Sequence, residues 1–211
     1  TIPDTVTKIG EHAFCGCATL QKIGMPSALK CLGDGAFSGC TNLSSLTLPD
    51  SVEDVGSAAF SATNISNINF PKNLNTVGEN PFKQTPYATA NTKSGGLYWK
   101  NWLISYDDDA TSVTIKAGTE HIADAAFMES HVGGTISLPY GIKTIGERAF
   151  LGSHFTKITI PDSVTKMGGY AFDQCYGLEK IVLSKNLSSI EKETFSYCYQ
   201  LKDLEIPESV T

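Results

Sequence analysis

Apolar positions recur along this chain with a period too long for any single helix or strand. Taking a proline as the anchor of each unit, the register falls at Pro3, Pro26, Pro49, Pro71, Lys116, Pro139, Pro161, Ser184 and Pro207. The steps are 23, 23, 22, 45, 23, 22, 23 and 23 residues. Eleven residues after every anchor except the last stands a phenylalanine: Phe14, Phe37, Phe60, Phe82, Phe127, Phe150, Phe172 and Phe195. A fixed period in this range is the signature of stacked units, each of which buries its apolar side only against its neighbours.

Within a unit, segments such as Leu178-Glu-Lys-Ile181-Val-Leu183 end in apolar–other–apolar alternation, which predicts a short strand with one face buried. The anchor proline has no amide proton and ends that ladder. A second apolar pair follows, Ile142 and Ile145 or Val164 and Met167, and then Gly146 or Gly168, which suits a tight bend. An Ala-Phe pair comes next and predicts a helical or 3₁₀ turn whose rings stack into an aromatic spine. Position +14 carries Cys17, Cys40, Thr63, Ser130, Ser153, Cys175 and Cys198, small side chains able to satisfy backbone groups where the coil turns back. Cys17 with Cys40, and Cys175 with Cys198, fall on neighbouring coils, where either a disulfide or buried free thiols would fit.

Set out as L-x-x-I-x-I-P-x-x-V-x-x-I-G-x-x-A-F-x-x-C, the unit resembles the leucine-rich repeat of the BspA-like (treponemal-type) family, over nearly the whole chain. The resemblance implies an α/β repeat solenoid: a right-handed superhelix with a parallel concave sheet, short strands and little regular helix. It also implies a secreted or cell-surface setting and an adhesive role toward host or matrix protein or glycan. On this reading residues 1–211 form one solenoid, a fragment of a longer protein.

The double-length step marks a diverged unit at 83–112. A polar, mobile run is expected from Thr89 to Gly96, followed by a hairpin: Leu97-Tyr98-Trp99, a Lys100-Asn101 turn, and Trp102 to Tyr106. Tyr98, Trp99, Trp102 and Tyr106 either patch the core where a coil is missing or remain exposed as a contact patch. Asp107-Asp108-Asp109 lacks the alternate ligand spacing of a calcium loop and reads as an acidic turn.

Composition narrows the function classes. A net charge of −6 without a Lys/Arg cluster argues against a nucleic-acid surface. No run of 18 or more apolar residues is present to span a membrane. No nucleophile elbow, phosphate loop or metal-ligand spacing appears, so neither catalysis nor a cofactor nor a metal is expected. Two surfaces remain. Residues four and two before each anchor, among them Asn67, Asn69, Ser112, Thr114, Thr135, Ser137, Lys157, Thr159, Lys180 and Val182, form a hydrophilic strand face suited to a glycan or an extended peptide. His131, His154, Tyr176 and Tyr199 share position +15 and should stack along one edge. The sequence thus predicts a non-enzymatic interaction module, with a ligand-free spacer as the alternative.

Overall fold

The structure, a computed structural model, describes residues 1–106 and 113–211. The Asp107–Asp109 turn and Ser112 lie outside the described residues. Contacts divide the chain into two compact units, Thr1–Thr92 and Lys93–Thr211. Each is a stack of coils in which every described coil lies beside its sequence neighbour.

In the first unit the strands Lys8–Ile9, Cys31–Leu32, Asp54–Val55 and Thr76–Val77 form one parallel ladder, and Ser45–Leu46 pairs with Asn67–Ile68 in a second. The second unit repeats this plan. His121–Ile122, Thr144–Ile145 and Lys166–Met167 are in parallel register, and Thr135–Ser137, Lys157–Thr159 and Lys180–Val182 build the other ladder. Strand structure therefore lies on both sides of the anchor at Pro49, Pro71, Pro139 and Pro161. The second residue of the post-anchor apolar pair, Ile145 or Met167, ends a strand two residues long that sequence alone does not mark.

The glycine after that pair has a different role from a bend. Gly33, Gly56, Gly78, Gly146 and Gly168 keep ordinary backbone angles, but a Cβ on any of them would meet backbone atoms of the preceding coil at 2.4 to 2.8 Å. The absent side chain is what lets the coils close to hydrogen-bonding distance, as in Gly56 N→Leu32 O at 2.8 Å. Ala123 occupies the same slot, and its neighbour is a hairpin strand rather than a coil.

From that glycine to position +14 the chain runs through hydrogen-bonded turns, not a helical or 3₁₀ segment. Alternate amides bond within the coil and to the next coil: Ala13 N→Gly10 O, Phe14 N→Ala36 O, Cys15 N→His12 O, Gly16 N→Ser38 O. Positions +9 and +13 take left-handed φ in every coil of both units, His12 and Gly16 in the first, Tyr170 and Gln174 in a later one. A right-handed helix has no place for such residues.

The rings behave as the spacing predicts. Phe14, Phe37, Phe60 and Phe82 stack at 5.1, 6.3 and 5.4 Å between centroids, and Phe127, Phe150, Phe172 and Phe195 at 5.0, 5.1 and 5.8 Å. Position +14 caps the spine. Cys40, Cys175 and Cys198 thiols donate to the carbonyls of Phe14, Phe150 and Phe172 at 3.0 to 3.1 Å, and Ser153 Oγ donates to Phe127 O at 2.6 Å. All six cysteines are free thiols.

The run expected to be mobile, Thr89 to Gly96, begins inside an ordered helix, Pro86–Asn91. Thr85 caps it, its Oγ1 accepting from Ala88 N at 3.1 Å, and Pro86 takes the first turn where its missing amide costs nothing. In the second unit, Gly96–Trp99 and Trp102–Tyr106 form an antiparallel hairpin, with Lys100 at positive φ in its two-residue turn. Trp102–Tyr106 then pairs in parallel with His121–Ile122, and Ala123 N bonds to Leu103 O at 2.9 Å, as one coil bonds to the next elsewhere. The hairpin stands where a coil would.

Candidate functional site

The hairpin aromatics face inward. Tyr98, Trp99, Trp102 and Tyr106 are 8%, 2%, 3% and 6% exposed. They offer no exposed contact patch. Tyr106 continues the phenylalanine spine, stacking on Phe127 at 5.0 Å, while its hydroxyl donates to Ser94 O and accepts from Thr114 N, each at 3.0 Å. The Tyr98 hydroxyl accepts from Lys116 N at 3.0 Å, and burial pushes its ionisation up. Trp102 stacks on His121 at 4.5 Å, and His121 Nδ1 pairs with Thr144 Oγ1 at 2.8 Å. Burial lowers the His121 pKa against the raising pull of Glu120. The physical reason for the inward packing is the missing coil, whose volume large rings fill.

The edge row is assembled on the second unit. His131 and His154 stack at 5.0 Å with planes 18° apart, and Tyr176 and Tyr199 at 5.7 Å and 14°. All four are exposed, the tyrosines by 50% and 70%. Tyr197, which sequence reasoning missed, meets Tyr199 edge-on at 6.1 Å and is 55% exposed. Its signal was available: Tyr197 holds the left-handed +13 slot that Gly16, Gly39 and Gly152 hold elsewhere. Rings stacked on one another leave their edges to solvent, so the row presents ring hydrogens, imidazole nitrogens and phenol hydroxyls. In the first unit the same row holds Ala18, Thr41 and Asn64, all exposed.

The strand face places its candidates in register. Thr135, Lys157 and Lys180 are direct partners across the sheet, as are Ser137, Thr159 and Val182, and all six are exposed while the residues between them are buried. Thr114 is exposed as well. Asn67 lies opposite Ser45 and points to solvent. Asn69 is committed elsewhere: its amide donates to Leu48 O and accepts from Leu48 N, both at 2.7 Å, prolonging a ladder that ends at Ile68. Asn69 is nonetheless exposed, and its amide keeps one N–H and one oxygen lone pair for solvent or a ligand.

Among the described residues no three His, Cys, Asp or Glu side chains are placed to hold a metal, and no helix is long and apolar enough to cross a membrane. The arrangement is a hydrogen-bonding surface on a rigid backbone.

Comparison with solved structures finds the same coil architecture. A leucine-rich repeat protein from Eubacterium ventriosum is 24% identical, with 97% of this chain and 65% of that chain covered and a TM-score of 0.51. One from Bacteroides ovatus is 22% identical over 99% of this chain and 60% of its own, with a TM-score of 0.45. A leucine-rich cell surface protein from Faecalibacterium prausnitzii is 23% identical over 99% and 66%, also at 0.45. The chain thus spans 60 to 66% of the length of these proteins, and at such identities the likeness concerns the fold. No curated protein matches the chain. The family model for the BspA type leucine rich repeat region, in six copies, matches residues 1–107 and 104–211. With the whole sequence covered, and with the proline anchor, the close-approach glycine and the stacked phenylalanine accounted for coil by coil, this chain belongs to the BspA-type leucine-rich repeat family.

Proposed function

We propose that this chain is a non-enzymatic interaction module of a secreted or cell-surface protein, binding a host or matrix protein or a glycan through the second unit. One observation carries the reading: along one row of the second unit an exposed imidazole stack, His131 on His154, is followed by an exposed tyrosine cluster, Tyr176 on Tyr199 with Tyr197 edge-on. Single exposed apolar residues are ordinary, but a contiguous exposed group marks a contact site. A ligand-free spacer would need only a polar edge, such as the Ala18, Thr41 and Asn64 row of the first unit. The scaffold suits the role, because stacked coils fix the spacing and tilt of the rings before a partner arrives and so reduce the ordering cost of binding. Family membership supports a location outside the cell.

The test is a glycan-array and matrix-protein screen of the chain beside a Tyr176→Ala/Tyr199→Ala variant. Specific binding by the parent that is lost in the variant supports the reading. Absence of binding to every glycan and protein in the panel would favour the spacer.

A further inference from the structure

The edge row does not stand alone. His154 lies three residues before Lys157, and Tyr176 four before Lys180, so the rings run alongside the strand face. Lys157 and Lys180 are direct partners in the parallel ladder, two ammonium groups on adjacent strands pointing to the same side. Neither has an ion-pair partner among the described residues, which is also true of Lys83 and Lys166; what sets these two apart is that they face each other across the ladder. Like charges placed opposite one another weaken a sheet. In a chain of net charge −6, with carboxylates available, an unneutralised pair is a local excess of positive potential held at fixed spacing. An anionic group set between the two would relieve the repulsion and accept from both.

What surrounds the pair selects the rest of the ligand. On one side lie the exposed hydroxyls of Ser137 and Thr159, with Thr135 next to Lys157 in the lysine lane. On the other lie ring edges with imidazole nitrogens and phenol hydroxyls. Among the described residues of the strand lanes in Thr135–Ser137, Lys157–Thr159 and Lys180–Val182, Val182 is the one exposed apolar side chain. An inserted peptide strand finds no open ladder here, because Lys157–Thr159 is paired on both sides. The acidic groups that limit the patch are Glu179, which precedes Lys180 in the chain, Asp203, which is the direct partner of Lys180 on its other side, and Glu205, so the positive region is confined to two coils.

We infer that this strip takes an acidic polysaccharide, one carboxylate or sulfate seated between Lys157 and Lys180 and neighbouring sugar hydroxyls on the Thr/Ser lanes and the His131–Tyr199 row. The inference rests on the proposed interaction role and names the ligand class for the same surface.

The experiment measures binding of the chain to immobilised dextran sulfate, polygalacturonate, neutral dextran and poly-glutamate over a range of NaCl concentrations. The parent is compared with Lys157→Gln/Lys180→Gln and with Lys83→Gln/Lys166→Gln, which removes two exposed lysines elsewhere. The expected result is binding to a polyanionic glycan and not to neutral dextran, weakened by salt, and lost by about tenfold or more only in the first variant. The dextran sulfate and polygalacturonate arms separate a sulfate ligand from a carboxylate one. Equal loss in both variants, equally tight and lysine-dependent binding of poly-glutamate, or no polyanion binding overturns the inference. Binding of a neutral glycan or a matrix protein that needs Tyr176 and Tyr199 but not the lysines overturns it while leaving the interaction role standing.

Discussion

Replacing Gly56 by alanine tests the packing argument where it is sharpest. A Cβ built there lies 2.5 Å from Asp34 N, 2.5 Å from Asp34 Oδ1 and 2.6 Å from Gly33 C. Carbon contacts settle at about 3.5–4.0 Å, so the two coils must separate by about 1 Å. The bonds joining them there, Gly56 N→Leu32 O and Ser57 N→Asp34 Oδ1, are both 2.8 Å and would pass beyond hydrogen-bonding distance. Two lost bonds at about 1 kcal/mol each, with the residual overlap, give a cost of about 3 kcal/mol. Gly10 is the internal control, since it holds the same slot in the first coil and a Cβ there meets nothing within 4 Å. Gly10→Ala should be neutral or stabilise by about 0.4–1 kcal/mol through a less flexible unfolded chain. Urea denaturation followed by far-ultraviolet circular dichroism measures both. Equal midpoints for the two variants, or a Gly56→Ala cost below about 0.5 kcal/mol, would refute close approach as the reason for the glycine.

Three further outcomes follow from the same contacts. Phe150→Ala removes a fully buried ring stacked on both sides and should cost about 3–5 kcal/mol by the same assay. Cys175→Ser should be tolerated, because Ser153 already makes the equivalent bond, whereas Cys175→Val removes one of the two bonds to the Phe150 carbonyl, leaving that from Ser153 N, and should cost about 0.5–1.5 kcal/mol. Burial pushes the Cys198 thiol from 9.0 up to about 11, so the folded state holds its proton where the unfolded state has lost it. Stability should therefore be intact below pH 9 and fall as the pH rises from 9 toward 11, with a smaller fall in Cys198→Ser, read as denaturation midpoint against pH.

Much of this architecture is legible in the residues because a stack of coils writes the same constraint many times. The phenylalanine at +11 and the hydrogen-bonding residue at +14 recur since each coil faces the same neighbour. Other features escape for identifiable reasons. The post-anchor strands are two residues long, one polar residue and one apolar, too short to show alternation. The left-handed slots at +9 and +13 accept Ala58, Arg148, Tyr170 and Glu193 as well as glycine, so residue type does not announce them. The helix at Pro86–Asn91 did carry its start signal, Thr85-Pro86, but its last turn enters the run from Thr89, too polar to suggest order. In the hairpin, aromatic residues on a short strand are equally compatible with facing in or out, and only the missing coil decides. The edge row was readable from register alone, whereas Asn69 looks like a surface amide until its bonds to Leu48 are seen.

The most direct measurement of the central claim, that the scaffold holds these rings for a partner and not for its own stability, is paired denaturation and binding of Tyr176→Ala/Tyr199→Ala. Side chains this exposed should contribute little to folding, so a midpoint change equivalent to less than about 1 kcal/mol is predicted together with loss of ligand binding. A cost of several kcal/mol, or full binding by the variant, would contradict it.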